Sequence, residues 1–303
     1  MGLQARPLFS FPANIQVGQD AARTELVRTA EASGFDLFSL QDHPYNAGLI
    51  EAYAGTAFLL GATTTIGGYV GVTNLPLRPA PMLARTAAAL TAQSDGRFAL
   101  GLGSGGFWQH IPRMGVQQLT PKQAVDAFEE AIEVVRGLTG GPAAAMDFTG
   151  KHYRVGHLAP ATVPTPPIWT GAGGPRTLAI TGRLTDGWIP QQGADWLTSA
   201  YRDGRAHIDD AARAAGRDPA DIITIFNFGG ALTDRDLPST RSDDGRWVGG
   251  SARQWVEALT SAVLEHGAGG FNTGITDASG ALGTDLIRRF GAEVIAPVRV
   301  AVA

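Results

Sequence analysis

The sequence predicts an α/β protein built as a (β/α)8 barrel, the TIM-barrel architecture, with insertions. Three observations lead to this fold class: apolar segments of strand length alternate with amphipathic helical segments, the alternation occurs about eight times, and 303 residues suffice for eight such units. Apolar strands between helices are typical of a parallel sheet covered by helices, and eight units can close into a barrel. We interpret residues 1–303 as a single domain.

The first half of the chain supplies four strand–helix units. Its predicted strands cover residues 7–14, 35–43, 65–74 and 97–106, and the helices that follow cover residues 20–33, 51–63, 79–94 and 120–141. The fourth helix has the strongest local signals. Thr120 can cap its first turn, Pro121 fits the first helical position, and Gln123 completes a capping box.

The second half continues the pattern after an interruption at residues 142–166, which read as a short inserted hairpin. Further strands are predicted at residues 166–174, 187–193, 221–232 and 269–276, with helices at 175–186, 196–215, 251–266 and 285–295. The polar stretch 233–250 predicts a mobile loop after the seventh strand.

An open, doubly wound sheet is the alternative to a closed barrel. Such a sheet usually carries the nucleotide fingerprint G-x-G-x-x-G after its first strand. The corresponding segment here, FSFPANIQVG, lacks that pattern. The closed barrel is therefore the preferred interpretation.

Composition narrows the possible partners. The chain has no cysteine, which excludes disulfides, thiol nucleophiles and thiolate metal sites. A formal net charge of −4 provides no basic footprint for nucleic acid. No apolar run reaches the roughly 18 residues of a membrane span, and the N-terminus lacks a signal-peptide pattern. We therefore expect a cytoplasmic protein that binds neither nucleic acid nor membrane.

Several common types of active site find no support in the sequence. The His, Asp and Glu residues show no metal-ligand spacing, so no metal is expected. There is no G-x-S-x-G nucleophile motif and no phosphate-loop lysine motif. Asp42 has no second carboxylate at a strand end, which disfavours a paired-carboxylate hydrolase.

Polar side chains cluster where the predicted strands end, and in a parallel barrel these ends form the active-site rim. In FDLFSLQDHPYN an apolar strand runs directly into Gln41, Asp42 and His43. The other strand ends carry amides and hydroxyls: Asn14, Thr73, Asn74, Ser104, Thr170, Gln191, Gln192, Asn227, Asn272 and Thr273. One charged pair among such groups suits the binding of a flat, hydrogen-bonding heterocycle that performs the chemistry itself.

His43 is the predicted proton donor or acceptor, because imidazole titrates near neutral pH. The alternative is a structural histidine. We expect Asp42 to orient the loop or His43 rather than to react.

Two glycine-rich segments lie at other strand ends. In WTGAGGPRT, Gly173 and Gly174 precede Pro175, which opens a helix, so backbone N–H groups can approach an anion and Arg176 can add charge. An ordinary tight turn is the alternative. In GLGSGG, residues 101–106, the small residues around Ser104 leave room for a ring.

Aromatic residues near the strand ends are candidates for the walls of a substrate pocket. Trp108 can stack on a ring or wall the pocket, and core packing is an equal alternative. Together these residues predict a partly aromatic, uncharged cavity: Phe11, Tyr45, Trp108, His110 and Phe228.

The sequence resembles the bacterial-luciferase-like family of flavin- and deazaflavin-dependent oxidoreductases. The correspondence covers nearly the whole chain and rests on the order and spacing of GFDLFSLQDHPY, VGVTNLPLRPAPMLARTAAALTAQSDGRFALGLGSGG and PIWTGAGGPRTLAITGRLTDGWIP. The resemblance implies a TIM barrel with an insertion after the seventh strand, which residues 233–250 match in a short form.

The resemblance also implies roles for individual residues. His43 would lie beside the flavin or deazaflavin ring, and Gly71–Val72 matches the position of a non-prolyl cis peptide that backs the ring in many members. Thr73 and Asn74 would contact the ring, and the segment Ala172, Gly173, Gly174 and Pro175 matches the loop that binds the phosphate region of the cofactor.

Two departures limit what carries over from the sugar-phosphate dehydrogenase branch of the family. That branch has a carboxylate near Gly106 and a tryptophan just after the Asp–His pair, whereas Pro44, Tyr45 and Asn46 follow the pair here. The substrate and the acid of that branch are therefore not implied for this chain.

Two enzymatic hypotheses follow from the resemblance. The first is a coenzyme F420-dependent oxidoreductase that transfers a hydride to or from a small organic substrate, with His43 as proton partner. The second is an FMN-dependent monooxygenase that consumes O2. The Ala- and Gly-rich, arginine-dominated composition is typical of GC-rich genomes where the deazaflavin is common, which favours F420.

A third hypothesis is a barrel that binds flavin-like ligands without turnover. The resemblance also implies a homodimer with contacts through the helices of the second and third units.

Overall fold

The computed structural model describes residues 6–141, 144–191 and 193–303. Within these residues, eight strands form a closed parallel barrel, numbered β1 to β8: Leu8–Pro12, Leu37–Leu40, Gly67–Val70, Phe98–Gly103, Ile168–Thr170, Gly187–Trp188, Ile223–Thr233 and Ala268–Thr276. Each strand pairs with its neighbours in chain order, and β8 pairs with β1, which closes the ring. The predicted barrel is confirmed.

Helices cover the outside of the barrel. Over the described residues they are α1 to α9: Asp20–Ala32, Ala52–Gly61, Ala80–Gln93, Pro121–Leu138, Pro175–Leu184, Ser199–Ala214, Ala252–His266, Thr284–Phe290 and Ala296–Ala301. The last two are joined by a π-helical turn, Gly291–Ile295, so the predicted final helix ended too early. No helix in the described part of the chain has both the length and the apolarity to cross a bilayer.

The start of α4 shows how local sequence sets an element boundary. Thr120 Oγ1 accepts a hydrogen bond from the Gln123 backbone N–H at 3.3 Å, and Gln123 Oε1 accepts from the Thr120 N–H at 3.0 Å. These bonds satisfy donors that the first helical turn leaves free. The predicted capping box is confirmed.

Strand side chains alternate between the barrel interior and the layer beneath the helices. The interior is filled by one cluster of buried residues: Leu8, Tyr69, Ala99, Trp169, Ile189 and Ile225. Phe9, Phe11 and Phe38 are fully buried in a larger cluster that also contains the inner faces of the helices. Both strand faces are therefore largely apolar, as expected for a parallel sheet inside an α/β fold, apart from buried polar groups such as Ser10 and Ser39, which donate to Asn272 Oδ1.

The predicted hairpin between α4 and β5 is present. Its strands, Met146–Thr149 and Arg154–Leu158, pair antiparallel, and residues 142 and 143 of the predicted insertion lie outside the described part. The Glu130 carboxylate on α4 accepts backbone N–H bonds from Lys151, His152 and Tyr153, which ties the hairpin turn to the helix.

The stretch after β7 packs on the barrel instead of forming the predicted mobile loop. Arg241 donates to Asp195 at 2.5 Å, and the Asp195 side chain is only 2% exposed. The Trp247 ring is buried edge-on against Trp255 at 5.0 Å. The stretch ends in a short strand, Gly249–Ser251, that pairs with β7. Arg241 and Trp247 thus fix this stretch to the barrel, a role that the sequence alone does not indicate.

Candidate active site

Asp42 lies directly beyond β2, and its side chain is fully buried. Arg78 Nε and Nη2 donate to its two oxygens at 2.8 and 2.6 Å, and the Asn74 backbone N–H donates at 2.9 Å. Arg78 also pairs with Glu51, the N-cap residue of α2. The Asp42 carboxylate therefore joins the segments that follow β2 and β3, in line with the predicted orienting role.

Arg78 is held on several sides. Burial acts to lower its pKa, but the hydrogen bonds and charges of Asp42 and Glu51 outweigh burial and raise the pKa above its usual value. Its guanidinium lies 4.3 Å from the centre of the Tyr53 ring. Tyr53 in turn shares a 2.6 Å hydrogen bond with the Thr73 hydroxyl, so that hydroxyl is committed to the core and Thr73 offers a ligand only its backbone.

His43, one residue further on, is partly buried. Its Nδ1 lies 2.8 Å from Tyr45 Oη, which leaves Nε2 as the ring nitrogen free to exchange a proton with a ligand. The Phe107 ring stands edge-on to the imidazole at 5.1 Å. Burial lowers the pKa of His43, and the negative charge of Asp42 opposes that shift.

Tyr45 links His43 to a second imidazole. Its ring stacks on His110 with centroids 4.9 Å apart and an interplanar angle of 27°. Burial and the charge of Asp42 raise the pKa of Tyr45, so its hydroxyl is protonated near neutral pH. The His43–Tyr45 pair is thus set between two further aromatic groups.

A glycine-lined cleft of about 260 Å³ opens beside His43. Its walls come from the ends of β2, β3, β4 and β5: residues 41–43, 71–74, 103–107 and Gly171. The peptide bond between Gly71 and Val72 is cis. A Cβ on Gly103 would lie 2.8 Å from Val72 Cγ2, and a Cβ on Gly171 would lie 3.0 Å from it. Glycine at both positions therefore makes room for Val72 at the floor of the cleft.

The polar groups of this cleft are sparse. Asn74 Oδ1 is buried without a hydrogen-bond partner, while Nδ2 of the same side chain makes a long 3.4 Å contact with the Gly106 carbonyl. Ser104, predicted to lie here, is half-buried on the wall. A buried acceptor without a partner is unfavourable unless a ligand or water satisfies it.

A second, more open compartment of about 420 Å³ adjoins the cleft. His43 and Phe107 belong to both spaces, and the second is completed by Tyr45, Asn46, Ala47, His110 and Arg113. Tyr45 and His110, both predicted as walls of a substrate pocket, line this space together. Arg113 puts a positive charge on the wall, which corrects the expectation of an uncharged cavity.

Phe107 is a site residue that the sequence reasoning missed. Its ring is 57% exposed and its backbone has a positive φ of 55°, which is unusual for a non-glycine residue. The segment GSGGF has neither the helical nor the strand pattern of apolar residues, so the pattern does not show whether the Phe107 ring is exposed or buried. Only its place directly after the glycine run could have drawn attention to it.

The loop between β5 and α5 carries the remaining predicted cofactor residues. Ala172 is buried, and its carbonyl accepts from Trp188 Nε1 at 2.9 Å. Gly173 is exposed, while the Gly174 N–H donates to Thr177 Oγ1 at 3.2 Å. Pro175 begins α5. Arg176 pairs with Asp126 at 2.6 Å on the surface of α4, so its charge is already partly neutralised.

Three predicted wall residues lie elsewhere. Phe11 is fully buried and packs edge-on against Phe35 at 5.3 Å in the layer beneath the helices, so it cannot line the pocket. Phe228 is buried against Trp255 at 5.9 Å. Trp108 lies behind the glycine loop, where its Cζ2 would be 2.8 Å from a Cβ on Gly105. Of the predicted strand-end amides, Gln192 lies outside the described residues.

A metal centre is not indicated by the described residues, because no three of their His, Asp and Glu side chains are grouped as ligands. The polar chemistry of the site rests on His43, Tyr45 and the unpartnered Asn74 oxygen.

Comparison with known proteins agrees with this architecture. The family model described as luciferase-like monooxygenase matches residues 9–236. The F420-dependent hydroxymycolic acid dehydrogenase of Mycobacterium tuberculosis is 30% identical over 243 residues, which is 75% of this chain and 63% of that protein. The chain thus spans somewhat less than two thirds of the length of the curated relatives it matches.

Solved structures share the fold over nearly the whole chain. An F420-dependent secondary alcohol dehydrogenase in complex with an F420–acetone adduct superposes with a TM-score of 0.80 at 20% identity, covering 97% of this chain and 99% of that one. The EDTA monooxygenase from Chelativorans sp. superposes with a TM-score of 0.75 at 16% identity, covering 97% and 94%. The family match and the barrel agree: the chain belongs to the luciferase-like monooxygenase family.

Proposed function

We propose that the protein is an F420-dependent oxidoreductase that transfers a hydride to or from a small organic substrate. The observation that carries the proposal is the position of His43, which borders both the glycine-lined cleft and the open compartment. A cofactor in the first space and a substrate in the second would then share one titratable imidazole. The F420-dependent dehydrogenase relative supports the choice of cofactor.

The residues of the cleft fit a flat heterocycle. Gly71, Val72, Thr73, Asn74 and Ser104 would contact the ring, and the unpartnered Asn74 Oδ1 would accept a hydrogen bond from it. When bound and reduced, a deazaflavin supplies a hydride.

The other end of the cofactor would lie on the loop before α5, with Ala172, Gly173, Gly174, Pro175 and Arg176 near its phosphate. The first N–H groups of a helix lack i−4 partners and favour an anion. Because Arg176 is already paired with Asp126, we assign most of the anion binding to the backbone.

His43 handles the proton in this mechanism. In the direction of carbonyl reduction, the carbonyl carbon gains a hydride and its oxygen takes the proton from Nε2 of the His43 imidazolium. In the reverse direction, neutral His43 accepts the hydroxyl proton at Nε2. Tyr45 holds Nδ1 and so keeps the ring in position, while Asp42 acts as a positioning residue through Arg78.

The test is anaerobic oxidation of reduced F420 by a panel of small ketones. His43→Ala should lower kcat by roughly 100-fold or more while the Kd for F420 stays within about threefold. His207→Ala, an exposed histidine on α6, is the matched control and should leave both unchanged. Full turnover by His43→Ala would refute the assigned role, and activity found only with FMN and O2 would establish the monooxygenase alternative instead.

We also propose a homodimer. The family resemblance implies a contact through α2 and α3, and the exposed surface of each of these helices carries a large apolar side chain, Phe58 at 52% and Met82 at 63% exposure. The cytoplasmic location stays a prediction from the sequence.

A further inference from the structure

We propose that the open compartment beside His43 takes flat carboxylates, meaning aromatic or conjugated carbonyl compounds that carry a carboxylate group, and that Arg113 binds this group. The inference rests on the proposed function, because it names the substrate class of the same site. It follows from the shape, the charge and the position of the compartment.

The shape of the compartment favours a flat molecule. Four rings line it: Tyr45 and His110 stack on each other, and Phe107 stands edge-on to His43. Aromatic faces and edges pack best against another planar group. A volume of about 420 Å³ is at the small end of the range for ligand pockets, so a compact substrate fits better than a long chain.

The charge of the compartment favours an anion. Among the described residues no Asp or Glu lines it, although the chain as a whole has a net charge of −4. Arg113 lines it and has no carboxylate within ion-pair distance among the described residues; its hydrogen-bond contact is His110 Nδ1 at 3.4 Å. By contrast, Arg78, Arg176 and Arg241 are each paired with an aspartate. A guanidinium free to make two parallel bonds is well suited to a carboxylate.

The position of Arg113 gives the substrate an orientation. Arg113 and His43 line the same compartment, and His43 also faces the cleft. If Arg113 binds the carboxylate of a flat substrate, the carbonyl group at the other end of that molecule would point toward His43 and the cleft. Arg113 is therefore assigned as the residue that sets substrate specificity, with no part in proton transfer.

The test compares two probes of nearly the same size and shape, one negatively charged and one neutral: 4-acetylbenzoate and 4-acetylbenzamide. Binding is measured by calorimetry with the full chain, both free of cofactor and loaded with F420. We expect the wild-type protein to bind the carboxylate about tenfold more tightly than the amide, and this preference to shrink as salt is added. Arg113→Gln should remove the preference by weakening carboxylate binding alone. Arg154→Gln, an exposed arginine of the hairpin, should retain it.

Turnover provides an independent readout. With 4-acetylbenzoate as the ketone, Arg113→Gln should raise KM about tenfold with kcat nearly unchanged, as expected for a group that only binds. Equal affinity of the wild-type protein for both probes, or an undiminished preference in Arg113→Gln, would overturn the proposal. So would a large loss of F420 affinity in Arg113→Gln, since Arg113 would then hold the cofactor.

The two proposals fail in different ways. If F420 does not bind, yet the cofactor-free protein shows an Arg113-dependent preference for the carboxylate, the proposed redox function fails and the ligand class stands. If neutral ketones are reduced with the same efficiency as the carboxylate, the proposed preference for carboxylates is wrong, whereas the proposed F420-dependent reduction stands.

Discussion

His43 is the residue on which the proposed chemistry depends. Its Nδ1 is occupied by the Tyr45 hydroxyl and its ring is bordered by Phe107, so the imidazole is held with one nitrogen free. Burial removes water from the ring and makes the charged form less favourable, while Asp42 partly compensates. The pKa of His43 therefore lies below the ordinary value of about 6.5.

A pH profile tests this assignment. Carbonyl reduction needs the imidazolium, which is present below the His43 pKa and is lost as the pH rises through it. We expect kcat/KM for reduction to fall with an apparent pKa below about 6.5, and kcat/KM for alcohol oxidation to rise over the same range. Profiles measured in both directions check this, with His207→Ala as control. A midpoint above pH 7 in both directions would contradict the account.

At the scale of single residues, the sequence predicted which polar side chains follow the end of a strand. It did not predict whether a side chain within a strand points into the barrel or toward the helices. His43 and Asp42 could be placed because polar residues directly follow an apolar strand. Phe11 was misplaced because both faces of a parallel strand are apolar, so periodicity does not distinguish the interior from the helix layer. Phe107 was missed because its exposure depends on a backbone conformation that no pattern indicates.

At the scale of elements, an ion pair with a fully buried carboxylate joins the segments that follow β2 and β3. Asp42 is fully buried and bonded to Arg78 by both oxygens. Removing the charge of Asp42 destabilises the fold, because the partly buried Arg78 guanidinium is then left with Glu51 as its carboxylate partner.

Asp42→Asn tests this contact while keeping the side-chain size. We expect a loss of about 3 kcal/mol in the free energy of unfolding, measured by urea denaturation. Asp285→Asn breaks an exposed pair with Arg288 whose aspartate is 98% exposed, and should cost at most about 0.5–1 kcal/mol. Equal losses in the two variants would show that Asp42 does not anchor the site.

The glycine at the end of β4 provides a second test at this scale. A Cβ on Gly103 would come within 2.8 Å of Val72 Cγ2, so Gly103→Ala should push Val72 into the cleft. We expect the Kd for F420 to rise about tenfold or more, with circular dichroism unchanged. Gly156→Ala in the hairpin, where a Cβ meets nothing within 4 Å, is the control. If Gly103→Ala binds F420 as tightly as the wild-type protein, the cofactor does not bind in the glycine-lined cleft.

Element boundaries were predictable where capping is local. The Thr120–Gln123 capping box needs only residues three apart, and both of its bonds are present. The π turn after α8 has no local capping signal. It packs closely on the end of α1, where a Cβ on Gly291 would clash with the carbonyl oxygen of Ser33. The packed stretch after β7 depends in the same way on distant partners such as Asp195.

At the scale of the whole molecule, the alternation of strands and helices was enough to predict the barrel, because eight parallel strands with short connections have few other ways to bury their edges. The assembly does not follow from the sequence pattern, since an apolar side chain on a helix surface can face solvent or a partner. Phe58 and Met82 lie on the two helices proposed to form the dimer contact.

Phe58→Asp combined with Met82→Asp tests the proposed homodimer. Charges placed in an apolar interface are costly, so we expect the wild-type protein to sediment as a dimer and the double variant as a monomer. Leu264→Asp, an equally exposed apolar residue on α7 at 63% exposure, should remain dimeric. A monomeric wild-type protein, or a double variant of unchanged mass, would contradict the assignment.

Binding of a deazaflavin at the carboxyl-terminal rim of the barrel, next to His43, is measured most directly by equilibrium titration. The wild-type protein is titrated with F420 and with FMN, and binding is followed by intrinsic tryptophan fluorescence. We expect a micromolar Kd for F420 and binding of FMN at least tenfold weaker. Tighter binding of FMN, or no binding of either molecule, would contradict this prediction.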